Sequence, residues 1–523
     1  MMPPYLSQNS RNISSHYQNS QLISFHSLLN YLPKIQFRTP KKYLYDLKNL
    51  DRNELALLKD NLFTNFYQKV QFQRTAFYLK VKKESPNDLA TFTYNERVSF
   101  RLEYELNQID CLNTLLEFSE LKHPNWTELN NFVNFLDEHL EVLENAMLVK
   151  ELPELRSITA MFIILMAHDF GLPSLNISEE SNSININEDN QIQISIHSLE
   201  IARRWDLIFH PYIIFNTDRE TFTFMGIYLD RRKYKFINPN NNEILEENEY
   251  KIKPQLRIEL LRQRVPLYDN FNEFPRTKKI NQLRAVMGLN CQDQLNQDPD
   301  PTYELTLDNC LKLMAIYMRL RSNSPVIIMG ETGCGKTRIL KFFSDLHLRS
   351  RNTLKHLLHV KIHGGTTAEE IEKKVEFAER MARVNRTKLT DCRNDKPTKS
   401  SEIPASTILF FDEANTTEAI GLIKEIMCDL TCNGRQIDLK NGLKIVAAVN
   451  PYRKHSDEMI AKLEEAGLGF YMSASDTKEK LGHIPMRQLV YRVQPLPASM
   501  IPLVWDFGQL DANTECVYIT QML

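Results

Sequence analysis

Apolar residues follow two different patterns along this chain. Between about residues 40 and 170 they recur mostly at helical spacing. Leu47, Leu50, Leu55, Leu57 and Leu58 open that pattern, and Phe132, Phe135, Leu136, Leu140 and Leu143 repeat it within Asn130–Leu148. This predicts a helical region with an ordinary packed core. The longest apolar run, Ile158 to Ala167, is closed by His168 and Asp169. A bilayer span needs ~20 apolar residues, so the run predicts a buried helix instead.

The pattern then changes twice. Ser174 to Gln193 is polar and acidic, as expected of a loop or linker. Tyr212–Phe215, Thr221–Leu229 and Tyr234–Ile237 are short β-rich runs separated by turn-forming residues. They predict a small antiparallel sheet within 200–245, with the Arg231, Arg232, Lys233 and Lys235 cluster on a solvated edge. From about Tyr303 an amphipathic helix, Thr306–Arg321, precedes five apolar runs: Val326–Met329, His359–Ile362, Ile408–Phe411, Leu443–Ala448 and Leu489–Val493. Helical stretches separate most of them, among them one expected over Thr417–Leu430 after the third run. That alternation predicts an α/β fold with a parallel sheet covered on both faces.

Composition narrows the function classes. A chain of 523 residues suits two to four domains. Its 64 Lys+Arg against 66 Asp+Glu leave no global basic field, which argues against a nucleic-acid partner. The 8 cysteines include no C-x-x-C pair, so no zinc ribbon, RING or redox motif is expected. Cys428 and Cys432 are expected on one face of a helix. The N-terminus lacks the charged and apolar regions of a secretory signal. With no transmembrane segment, the chain reads as cytosolic. Residues 1–38, rich in Ser, Asn and Gln, read as a disordered tail.

Chemistry concentrates in the α/β part. The run Val326–Met329 leads into Gly330-Glu331-Thr332-Gly333-Cys334-Gly335-Lys336-Thr337, which fits G-x-x-x-x-G-K-[ST]. Glycines at these places let backbone N–H groups turn inward around phosphate oxygens, and the following helix adds its positive end. Lys336 is expected to reach the outer phosphates of ATP, and Thr337 to ligate Mg²⁺. A second apolar run ends in Asp412-Glu413. Asp412 is expected to hold the metal, and Glu413 to polarise the attacking water. A third ends in Asn450-Pro451. Asn450 sits where AAA+ ATPases place the asparagine that senses the γ-phosphate. Arg492, with Arg487 as second choice, sits where they place the arginine finger. Asn433-Gly434 predicts a hairpin between the second and third of these sites. His363-Gly364-Gly365-Thr366-Thr367 is either a glycine- and hydroxyl-rich face or a turn capped by Thr366 or Thr367.

The strings IIMGETGCGKTRILKF, VKIHGGTTAEEI, ILFFDEANTTEAI, NPYRKHSDEMI, IPMRQLVYRV and IPLVWDFGQL closely resemble the mysterin family. So do HPNWTELNNFVNFL and TYELTLDNCLKLMAIYMRLR upstream. That family joins a dynein-like AAA+ core to a RING-type ubiquitin ligase. The resemblance, from about residue 40 onward, implies an AAA+ P-loop large subdomain at 301–523, with its helical lid largely missing. Before it would come a helical region at 39–173, and a linker with a small α+β region at 174–300 ending a degenerate module. It further implies ATP and Mg²⁺ as cofactors, and neighbouring AAA+ modules and the ubiquitin machinery as partners. Lipid-droplet association would follow from the resemblance alone. No RING lies in this sequence, which looks like a fragment of a larger protein.

Overall fold

The computed structural model describes residues 39–49, 69–84, 94, 106–119, 121, 124–146, 152–177, 199–201, 205, 212–216, 222–232, 235–237, 254–262, 267–289, 298–346, 355–391, 407–465, 480–481, 484–485, 488–508, 515–516 and 518–520. The expectations for residues 1–38, Leu50–Leu58, most of the acidic linker, Lys233 and Arg487 fall outside these residues.

The N-terminal part is helical, as the spacing predicts. It comprises α1 (Pro40–Asn49), α2 (Val70–Glu84), α3 (Gln108–Ser119), α4 (Trp126–Asn145) and α5 (Pro153–Met166). The start of α4 is fixed by a capping box. Asn125 accepts from the Glu128 backbone N–H while Glu128 accepts from that of Asn125, each at 2.9 Å. Leu129, Phe132, Val133, Leu136, Leu140 and Leu143 on α4 are all buried. Burial of such side chains contributes about 1.5–3 kcal/mol each. Arg74 of α2 is buried against α4, 2.7 Å from Asp137 and 3.4 Å from Glu144. The run Ile158–Ala167 lies mostly in α5, followed by a π turn over Ala167–Gly171. Among the described residues no helix is long and apolar enough to cross a membrane.

Next come β1 (Leu175–Ile177) and β2 (Leu199–Ile201), paired antiparallel. The β-rich stretch forms two separate antiparallel ladders, not one sheet. One pairs β3 (Tyr212–Phe215) with β4 (Phe222–Met225), and the other β5 (Tyr228–Leu229) with β6 (Phe236–Ile237). Arg231 and Arg232 are exposed, as a solvated edge requires. Helices α6 (Pro254–Arg262) and α7 (Arg276–Met287) lead to α8 (Leu307–Arg321), whose first turn is capped by Thr306.

The C-terminal part is a five-stranded parallel sheet. Its strands are β7 (Val326–Met329), β8 (Leu357–Lys361), β9 (Thr407–Asp412), β12 (Leu443–Val449) and β15 (Val504–Asp506), in the order β15-β7-β12-β9-β8. The helices α9 (Lys336–Leu346), α10 (Ala368–Asp391) and α11 (Ile420–Lys424) lie between strands. Side chains alternate across the sheet, as strand geometry demands. Val326, Ile328, Ile408, Phe410, Val446 and Ala448 join the core on the side of α8, α9 and the N-terminal helices. Ile327, Met329, Leu409, Phe411, Ala447 and Val449 join the core under α10 and α11. Both faces are buried, so these strands read as continuous apolar runs.

Three local expectations need correction. The fifth strand is β15, not Leu489–Val493, whose Leu489 makes only an isolated bridge to Lys454. The stretch after β9 is not one helix over 417–430. It is a 3-10 turn at Ala414–Thr416, then α11, then a π turn at Glu425–Asp429 that stops at Leu430 with φ +55°. Cys428 lies in that π turn and Cys432 in β10 (Thr431–Cys432), so they do not share a helix face. The Asn433-Gly434 turn does join β10 to β11 (Arg435–Gln436) in a hairpin, with both residues at positive φ.

The two parts share a core. Trp205 donates from Nε1 to Asp308 at 2.6 Å, and its ring meets that of Trp505 edge-on at 5.2 Å. Ser174 caps the outer edge of β15. Its N–H donates to the Val504 carbonyl at 3.1 Å, and its hydroxyl accepts from the Asp506 N–H at 2.9 Å.

Candidate nucleotide site

Ligands of open parallel sheets collect beyond the C-terminal ends of the strands. Here β7, β9 and β12 are neighbours and end together, which gathers three loops distant in sequence. The loop Gly330–Gly335 joins β7 to α9. Gly333 and Gly335 adopt φ +88° and +96°, and nothing lies within 4 Å of where a Cβ would stand. Only glycine takes such values without strain, and the open space is what phosphate oxygens need to approach the backbone. Gly330 is confined, since a Cβ there would lie 2.8 Å from the Cys334 sulfur. Burial raises the Cys334 thiol above its ordinary value, although the nearby Lys336 charge opposes this.

Lys336 opens α9 and is buried. Its ammonium donates to the carbonyls of Gly330 at 2.7 Å and Glu331 at 2.8 Å, and to Asn450 Oδ1 at 3.2 Å. One turn position on, the Thr337 hydroxyl donates to Asp412 Oδ2 at 2.8 Å. Asp412 also meets His359 Nε2 of β8 at 2.9 Å. Burial alone would raise the Asp412 carboxyl. The hydrogen bonds from His359 and Thr337, with the His359 and Lys336 charges, outweigh that and hold it below the usual carboxylate range. A carboxylate kept ionised beside a hydroxyl is an oxygen donor pair that suits a hard divalent cation. The glycine cradle, Lys336 and this pair therefore fit Mg²⁺ with a nucleoside triphosphate.

Glu413 follows Asp412 with φ +58°, uncommon for a residue with a side chain. Its carbonyl accepts from the Thr416 N–H at 3.0 Å and the Thr416 hydroxyl at 2.9 Å, which holds the turn. The Glu413 side chain is exposed. The structure thus gathers Gly330, Lys336, Thr337, Asp412 and Asn450, with Glu413 next to Asp412 in sequence and its side chain turned to solvent. Arg492 is exposed and makes no hydrogen bond or ion pair with a described residue.

Several neighbours were not foreseen. Asn415, buried in the 3-10 turn, donates from Nδ2 to the Asn450 carbonyl at 2.8 Å and accepts from the Asn450 N–H at 3.2 Å. It thereby braces Asn450 through the backbone. His359 could have been suspected as a polar residue amid the apolar run Leu357–Val360. Glu331 is held by Arg453 at 2.9 Å and by the Tyr491 hydroxyl, which also accepts from the Thr332 N–H. Burial, and then the Glu331 carboxylate, raise the Tyr491 phenol, so it stays a donor. Such contacts join loops far apart in sequence, and no motif announces them. The His363–Thr367 stretch is a turn. Thr366 closes it, and Thr367 and Glu370 form a capping box at the start of α10.

Comparison with known proteins assigns the domain that holds these loops. Residues 303–453 match the family model described as RNF213 AAA domain. The chain is 39% identical over 519 residues to E3 ubiquitin-protein ligase rnf213-beta of Danio rerio, covering 97% of this chain and 10% of that protein. It is 40% identical over 507 residues to E3 ubiquitin-protein ligase RNF213 of Mus musculus, covering 95% of this chain and 9% of that one. Against the Homo sapiens protein of the same name it is 39% identical over 513 residues. The chain thus spans about a tenth of the length of these relatives. With its parallel sheet, its matched domain and these relatives, the chain belongs to the RNF213 (mysterin) family, and residues 303–453 carry that family's AAA domain.

Proposed function

We propose that this module binds ATP with Mg²⁺ and hydrolyses it, and that the cycle drives conformational change in a ubiquitin ligase. The observation that carries the reading is the convergence of Lys336 on Asn450 at 3.2 Å and of Thr337 on Asp412 at 2.8 Å. Backbone N–H groups of 330–335 and the Lys336 ammonium would bind the phosphates. Thr337 and Asp412 would hold the metal, which when bound supplies positive charge against the charge that develops on the transferring phosphoryl group. Asn450, fixed by Asn415, would orient the attacking water, and Glu413 would polarise it. Arg492 would reach a neighbouring AAA+ module instead of its own site. The ligase part of the proposal rests on the names of the relatives, and a cytosolic setting accords with it.

Mg-ATP titration of the purified chain tests the proposal, beside Lys336→Ala and Glu413→Gln, with phosphate release followed in parallel. Wild type and Glu413→Gln should bind, Lys336→Ala should not, and only wild type should release phosphate. No binding by a folded wild-type chain would refute it.

A second reading is a nucleotide-binding scaffold with negligible turnover. It is favoured by Arg492, which has no partner at this site, so that hydrolysis would need an arginine from another module. Binding without phosphate release would support it.

A further inference from the structure

The two edges of the parallel sheet are finished differently. Ser174 caps β15 on one side. On the other side β8 has no strand beyond it among the described residues. The Ile408 N–H donates to the His356 carbonyl and the Ile362 N–H to the Asp412 carbonyl, so even-numbered residues face β9. By strand alternation, the N–H and C=O groups of Leu357, His359 and Lys361 face outward. Unpaired edges of this kind are templates for another strand.

Beside that edge, β8 and α10 enclose a cavity of about 500 Å³. Its floor includes Leu358, Val360, Ile371 and Phe377, the last 49% exposed although large and apolar. Lys361, Lys373, Lys374 and Arg380 stand around it. None of these four makes a salt bridge with a described residue. Glu370 is the one carboxylate among the lining residues, and it is engaged in the Thr367 capping box. The groove is therefore positive at its walls, apolar at its floor, and open along one side to an unpaired backbone edge.

We propose that this groove binds an extended acidic peptide segment that adds to β8 as a strand. On its face toward α10 the segment would present acidic side chains opposite Lys373, Lys374 and Arg380 and aliphatic ones over Leu358, Val360 and Phe377, and an acidic side chain on its other face would meet Lys361. Adding as a strand uses the outward N–H and C=O groups of Leu357, His359 and Lys361, while every second side chain turns toward α10. A small polyanion would satisfy the four cations but leave the apolar floor and the backbone edge unused. The site lies at the sheet edge and does not depend on nucleotide turnover.

The test is fluorescence anisotropy of the full chain with a labelled peptide of about eight residues, Glu-Glu-Val-Val-Glu-Glu-Val-Val, so that each face of the strand carries both Glu and Val. Lys373→Glu/Lys374→Glu alters two exposed side chains and should preserve the fold, while weakening binding about tenfold or more. The same peptide carrying N-methyl groups at every second residue should also bind about tenfold more weakly, because it cannot pair along its edge. Addition of inorganic tripolyphosphate at matched ionic strength should displace little peptide. No binding of the parent peptide, unchanged affinity of the charge-reversed chain, unchanged affinity of the N-methylated peptide, or full displacement by tripolyphosphate would each overturn the proposal.

Discussion

Truncating Asn415 to alanine should uncouple Asn450 from the turn after β9 while leaving every proposed nucleotide-contacting side chain in place. The Asn415 side chain is buried, accepts from the Asn450 N–H at 3.2 Å and donates to the Asn450 carbonyl at 2.8 Å. Its removal leaves two backbone groups of buried Asn450 unpaired, each costing about 1–3 kcal/mol. Local destabilisation of about 2–6 kcal/mol follows, softened if a water enters. Tenfold in an equilibrium corresponds to about 1.4 kcal/mol, so exchange protection of the Asn450 amide should fall by about a hundredfold. Hydrogen exchange of the peptide spanning Val449–Tyr452 reads this directly. If the proposed ATPase holds, turnover should fall by about tenfold or more with little change in KM, because Lys336 keeps the carbonyls of Gly330 and Glu331 and Thr337 keeps Asp412. Protection within about threefold of wild type would refute the reasoning, since the two hydrogen bonds would then contribute almost nothing.

The remaining expectations concern packing and pH. Gly330→Ala would place a Cβ 2.8 Å from the Cys334 sulfur. The glycine loop must then shift, so under the proposed function affinity for Mg-ATP should drop by more than about tenfold while the melting temperature changes little. Calorimetric titration checks this, and unaltered affinity would contradict the tight approach. His139 is buried between the Phe135 carbonyl and the Met318 sulfur, each 2.9 Å from a ring nitrogen. Burial, with the Arg321 charge next, pushes its pKa down to about 3. The unfolded chain takes up this proton near pH 6.5 and the folded one does not. Its contribution to stability is therefore full above about pH 6.5 and declines as pH falls toward 3, by about 1.4 kcal/mol per unit. His139→Gln should flatten the urea-midpoint profile between pH 6 and 4.5, and parallel profiles for the two proteins would count against this.

Much of the candidate site was legible because its glycine loop is a local feature. Eight consecutive residues, Gly330 to Thr337, span the end of β7 and the start of α9, and the structure places them between that strand and that helix. Asp412, Glu413 and Asn450 were legible for a related reason. Each ends an apolar strand, and in a parallel sheet strand ends gather at one edge. Asn415, His359, Arg453 and Tyr491 were not legible, because their partners lie on other loops and any polar residue could stand in their places without disturbing the apolar pattern.

By itself the sequence determined most of the helices, the parallel sheet and the glycine loop after β7. Periodicity, capping residues and glycine conformations act within a few residues of one another. Only the tertiary structure decided which short apolar run became the fifth strand. Leu489–Val493 and Val504–Asp506 have comparable local character. Val504 and Trp505 take the edge of β7 because they bury on both faces, against Leu503 and Ile501 on one side and Trp205 on the other. Ser174 then satisfies the outer backbone of β15. That choice depends on residues some three hundred positions apart, and no window along the chain contains both.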